Sequence, residues 1–115
     1  MSKSLSRENL IRDFIEEHID AKIPFLNWLE IFSWAKWKEP EDILSTFNSA
    51  NILVSHDGLI SNRVVFEIKN SNGIVRYIMI CQYNFEIEKI TLIVKWVGTY
   101  TEYEIICLLN KQYKV

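Results

Sequence analysis

Lys95, Thr99, Tyr100 and Tyr103 fall within the stretch KWVGTYTEY, residues 95 to 103, where an apolar run ends and a helical pattern begins. A helix N-terminus carries unpaired N–H groups and the positive end of a dipole, so it attracts anions. Further cations stand upstream at Arg63, Lys69 and Arg76. Side chains alternate across a sheet, so Lys69, Arg76 and Lys95 are expected to share one face of neighbouring strands as a small cationic concavity. Lysine, arginine, a helix start and phenols together suit a phosphodiester. The cations stabilise charge on the transition-state oxygens, a phenol or lysine moves a proton, and aromatic rings stack on single-stranded bases. The same residues also fit a plainer arrangement, with solvated lysines, a cap formed by Thr99 and Glu102, and Tyr103 in the core.

Other chemistries leave no signature. His18, His56, Cys81 and Cys107 lack metal-ligand spacing, and neither a GxxxxGK[ST] loop nor a GxSxG elbow occurs, so no metal or cofactor is expected. Both cysteines lie in apolar runs and read as buried thiols of a reducing compartment. Without a signal peptide, or an apolar stretch near the ~18 residues a membrane span needs, the expectation is a cytoplasmic protein with no membrane partner. The net charge of −2 lacks the basic excess that drives non-specific nucleic-acid binding, so any such affinity must come from a local patch. Acids crowd the first 42 residues, and the second half is the better place for an anionic ligand.

These residues need elements to hold them. With 115 residues, 49% of them hydrophobic, the chain supports one domain with its own core. Ser6 reads as an N-cap, with Leu5 and Leu10 as a staple, for a first helix to about Lys22. Pro24 opens a second helix with Phe25, Trp28, Leu29, Phe32 and Ala35 on one face, and a third spans Pro40 to Phe47. From Asn51 the period falls to two. Strands are expected at Ile52 to Ser55, around Val64, Phe66 and Ile68, at Ile74 to Tyr83 and at Ile90 to Val97. The turns between them are His56-Asp57-Gly58, Asn70-Ser71-Asn72-Gly73 and Asn84 to Glu88. On the last strand, Ile90, Leu92, Val94 and Trp96 fall on one face and Thr91, Ile93, Lys95 and Val97 on the other. Thr99-Tyr100-Thr101-Glu102 fits a capping box, opening a helix to about Asn110. The expected class is α+β: N-terminal helices, a three- to four-stranded antiparallel meander, then a C-terminal helix.

RVVFEIKNSNGIVRYIMICQYN, followed after Glu88 by KITLIVKWVGTYTEYEII, resembles the HigB toxin family in its RelE-related branch. Upstream, FLNWLEIFSWAKWKEPEDILSTF is similar to that family's tryptophan-bearing helix and the segment after it. The resemblance spans roughly residues 25 to 108. It implies a RelE-like domain over residues 1–115, with 1–22 as an extra N-terminal helix. The activity it implies is that of a bacterial type II toxin, a metal-independent mRNA endoribonuclease (mRNA interferase) that works on the translating ribosome by 2′-hydroxyl attack. The partner it implies is a cognate helix-turn-helix antitoxin. The catalytic positions it marks are Lys69, Arg76, Lys95, Tyr100 and Tyr103, and the RNA-binding ones Arg63, Lys69, Arg76, Lys95 and Thr99. Lys95 stands for the family's arginine, Tyr100 for its histidine and Glu104 for its aspartate. A histidine titrates near neutral pH whereas an ordinary phenol donates or orients, so a catalytically inactive RNA- or antitoxin-binding protein of the same fold is the alternative. A third reading is an unrelated interaction module built on the tryptophan-rich helices.

Overall fold

The computed structural model describes residues 2–54, 58, 60–70, 72–73 and 76–115. Four antiparallel strands, β2 (Asn51–Val54), β3 (Ile60–Lys69), β4 (Arg76–Glu86) and β5 (Lys89–Thr99), follow one another across the sheet. A further strand, β1 (Ser2–Ser6), joins the far edge parallel to β5, giving the order β1-β5-β4-β3-β2. The helices are α1 (Asn9–Glu17), α2 (Lys22–Trp34), α3 (Glu41–Thr46) and α4 (Tyr100–Leu108), with a 3-10 turn at Ile19–Ala21. The α+β class holds, with helices ahead of the sheet and one after it. The sheet has one strand more than expected, and that strand makes it mixed rather than purely antiparallel.

The extra strand overturns the reading of Ser6 as a helix cap. In SKSLS the serines are exposed and alternate with partly buried Lys3 and Leu5, a period of two. A lysine at an inward position hides that pattern in the sequence. Its ammonium is there because it donates to the carbonyls of Phe32 and Ala35 at the end of α2 and lies 4.6 Å and 5.4 Å from the Phe32 and Trp37 ring centroids. A cation suits the negative end of a helix dipole, and partial burial lowers the Lys3 pKa. Arg7 turns the chain at φ 61°, and α1 starts after Glu8 without a side-chain cap.

The first helix also ends early, at Glu17, because His18 leaves helical geometry at φ −133° and ψ 78°. Then α2 begins at Lys22, so Pro24 sits inside its first turn, where a missing N–H removes no helical bond. Ala35, read as part of that helix, is extended at ψ 143°. Strand β4 runs on to Glu86, which shortens its turn to Ile87 and Glu88. The Asn70 to Gly73 turn closes with Gly73 N–H donating to the Asn70 carbonyl at 3.0 Å, its Ser71 lying outside the described residues. His56 and Asp57 of the other turn lie outside them too.

One sheet face carries Val64, Phe66, Ile68, Tyr77, Met79, Cys81, Ile90, Leu92 and Val94 against Ile11, Phe14, Phe25, Trp28, Phe32 and Trp37. Burying side chains of this size contributes about 1.5–3 kcal/mol each, so this layer holds the fold together. Trp28 and Trp37 belong to it, the latter donating to Thr46 Oγ1 at 2.8 Å, whereas Trp34 is 78% exposed. Cys81 is fully buried and its thiol is pushed far up by desolvation, but Cys107 is only partly buried, against expectation. The opposite face has a smaller cluster of Leu53, Val65, Ile78 and Ile80, packed by Trp96, Tyr100, Tyr103, Tyr113 and Val115. After α4 the chain reverses at Asn110, φ 59°, and returns along this outer face, where the Tyr113 hydroxyl donates to the Val54 carbonyl at 2.5 Å.

Candidate functional site

Register decides which cations meet. Lys69 pairs directly with Arg76, and Glu67 with Ile78, so Glu67, Lys69 and Arg76 share the outer face with Ile78 and Ile80. Glu67 Oε1 lies 3.3 Å from Lys69 Nζ and 3.5 Å from Arg76 Nη1. Arg76 also sits over Tyr100, its guanidinium carbon 3.7 Å from the ring centroid. Exposed ion pairs of this kind contribute only ~0–1 kcal/mol to stability, and their effect is to orient. A carboxylate on one side and an aromatic face on the other fix where Arg76 can point.

Strand β5 departs from strict alternation. Cys81 pairs with Val94 but Ile80 pairs with Trp96, which leaves Lys95 as the extra residue of a β-bulge. Downstream of a bulge the side-chain parity flips. Trp96, expected beside Val94 in the main core, therefore packs in the outer cluster, and Val97 packs on the main core instead. Lys95 itself is partly buried and makes no hydrogen bond or ion pair among the described residues.

At the end of β5 the capping box forms as expected. The Thr99 hydroxyl accepts from the Glu102 N–H at 3.2 Å, and Glu102 Oε1 accepts from the Thr99 N–H at 2.8 Å. Gly98 is required just before it, because a Cβ there would stand 2.4 Å from Trp96 Cη2 and Cζ2. Tyr103 lies one turn along α4, its ring centroid 6.3 Å from that of Trp96. Desolvation, then a hydrogen bond to Cys107 and the nearby Cys107, Tyr113 and Tyr100 groups, hold its phenol well above the usual value. Tyr103 thus keeps its proton at neutral pH. A groove of about 360 Å³ runs beside these rings, lined by Tyr100, Tyr103, Glu104, Cys107 and Leu108.

Lys95, level with Ile80 and Cys81, stands four to five positions along β4 from Arg76. It makes no contact with the Glu67, Lys69, Arg76 and Tyr100 group among the described residues, and Arg63 does not join that group either. Arg63 lies six positions back along β3 from Lys69, roughly 20 Å at ordinary strand rise. There its guanidinium donates to Asn62 and Gln82, both at 3.1 Å, and to the Val115 carbonyl at 3.3 Å. It ties down the C-terminal segment. Glu67 and Trp96 are the residues that sequence reasoning left out. Glu67 was findable, since it shares the parity of Lys69 two positions on; Trp96 was not, because its facing depends on the bulge. His18 stacks on Phe14 with centroids 4.1 Å apart, and no cluster suited to a metal occurs among the described residues. Nor is any described helix long and apolar enough to cross a membrane.

A search of curated proteins returned no match to the chain. A family model does match, that of HigB_toxin, described as the RelE-like toxic component of a toxin-antitoxin system, over residues 21–106. That span takes in Glu67, Lys69, Arg76, Lys95 and the first turns of α4, and leaves β1 and α1 outside. Membership of such a system implies an antitoxin partner. With most of its length matched, and its outer-face cations and helix start inside the match, the chain belongs to the HigB toxin family of RelE-like toxins.

Proposed function

We propose that the protein is a metal-independent endoribonuclease that cleaves mRNA on the translating ribosome and is restrained by a helix-turn-helix antitoxin. The observation that carries this reading is Arg76, held between Glu67 and the Tyr100 ring beside a helix N-terminus. An oriented guanidinium is a strong ligand for a phosphoryl oxygen on which charge develops. The RNA 2′-oxygen attacks the adjacent phosphorus as the bond to the 5′-oxygen breaks, leaving a 2′,3′-cyclic phosphate and a free 5′-hydroxyl. Arg76 takes the non-bridging oxygens, with Lys69 and Lys95 adding positive charge. Glu67 is an acceptor among these cations and takes the 2′-hydroxyl proton, while Lys69, paired with it, acts as a cation. Tyr100 or Tyr103 returns a proton to the leaving oxygen. The raised pKa of Tyr103 fits a donor and not a base. In this scheme Tyr100 does the work of the histidine at its position in the resembling family pattern.

The test is induced expression of wild type, Lys95→Glu and Tyr100→Phe in parallel, with mRNA 5′ ends mapped. Wild type is expected to arrest growth and create new ends within reading frames, and Lys95→Glu to lose both while remaining folded. A folded wild type that arrests growth without new ends would leave the binding-only alternative standing.

A further inference from the structure

We infer that the groove along α4 is a base-binding subsite in which Glu104 reads guanine. The inference rests on the reading of the outer face as an RNA site. Tyr100, whose ring carries Arg76, also lines this groove, so it adjoins the group proposed to hold the phosphate. Tyr100, Tyr103 and Leu108 give it aromatic and aliphatic walls, which suit a base pulled out of its stack. The Tyr103 hydroxyl is engaged with Cys107. Glu104 is the lining residue with acceptor capacity to spare: it is exposed and has neither a hydrogen bond nor an ion pair among the described residues.

A free carboxylate beside a phosphate site repels the RNA backbone, so what it can attract there are neutral donors on a base. Two carboxylate oxygens accept two donors side by side. Guanine alone among the four bases presents such a pair on its Watson–Crick edge, N1–H and the N2 amino group. Adenine, cytosine and uracil each present one donor group there. Tyr100 and Glu104 are four residues apart, one helical turn or about 6 Å, so the carboxylate stands beside the ring that carries Arg76.

Two measurements on wild type and Glu104→Gln test this. The first is equilibrium binding of a short 2′-O-methyl RNA, which cannot be cleaved by 2′-oxygen attack, with one guanine or with inosine in its place. Inosine lacks the N2 amino group. Wild type is expected to favour guanine by about tenfold, and Glu104→Gln to bring the ratio near one. The second is cut-site mapping in cells, where guanine enrichment at one position beside the cut is expected in wild type and absent in Glu104→Gln. A guanine-to-inosine ratio near one in wild type, an equal ratio in both proteins, or no RNA binding by folded wild type would overturn the inference. Discrimination in binding without any cleavage in cells would uphold the subsite and sink the nuclease reading.

Discussion

The guanidinium of Arg76 lies against the ring of Tyr100 at 3.7 Å, joining the first residue of β4 to the first residue of α4. The contact ties the start of one strand to the start of the helix that follows the next. Removing the ring therefore frees Arg76 as well as deleting a hydroxyl, whereas phenylalanine deletes the hydroxyl alone.

A double-mutant cycle separates the two. Arg76→Ala and Tyr100→Leu, alone and combined, should give a coupling of about 0.5–1 kcal/mol in urea unfolding, and Tyr100→Phe should preserve it. If the proposed chemistry holds, Arg76→Ala should also lower RNA cleavage by roughly a hundredfold, since it withdraws a donor aimed at developing charge. A coupling of zero would mean that Tyr100 does not orient Arg76.

Gly98→Ala should destabilise the fold by about 1–3 kcal/mol, because the new methyl meets the Trp96 ring 2.4 Å away. A lower urea midpoint with an unchanged slope is the expected result. Combining it with Trp96→Leu should recover part of the loss, and an additive double mutant would argue against the clash.

Thr99→Ala should cost about 1 kcal/mol through the lost cap, and Thr99→Ser should cost little. The capping hydroxyl is spent on the Glu102 N–H, so a large loss of RNA binding by a stable Thr99→Ala protein would show a second role for this residue.

Stability should fall in alkali. Tyr103 has a folded-state pKa raised above the unfolded phenol value near ~10, so the neutral form is favoured by folding. Its contribution is complete below that pH and is lost as pH rises through the folded value. Tyr77 and Tyr83, raised by the same desolvation, act in the same direction. Thermal melting from pH 8 to pH 11 should steepen downward above about pH 10, and Tyr103→Phe should flatten the slope.

Much of this arrangement was legible in the chain. Periodicity located the helices and the meander, and Thr99 with Glu102 announced the last helix start. The alternation in β3 put Glu67 and Lys69 on one face, and the turn at Asn70 to Gly73 set Arg76 opposite Lys69. What failed to show depends on tertiary partners. Nothing local to SKSLS marks a strand, because its ladder is supplied by β5 and its inward lysine by the end of α2. A bulge is likewise a property of two strands, so the sequence of β5 alone could not reveal that Lys95 is unpaired and Trp96 turned outward.

The pairing of Ser2 with Lys89 has a consequence for the order in which the molecule assembles. On a chain synthesised from its N-terminus, β1 emerges early and must wait for β5 before it has a partner. Until then α2 lacks the ammonium that covers its last carbonyls, and β5, once made, is bonded along β4 only. Contacts so distant in sequence form slowly. Because β1 pairs with Lys89 to Ile93 alone, its docking gives the first half of β5 a second neighbour and leaves the half that carries Lys95 and leads into Thr99 held along β4 only.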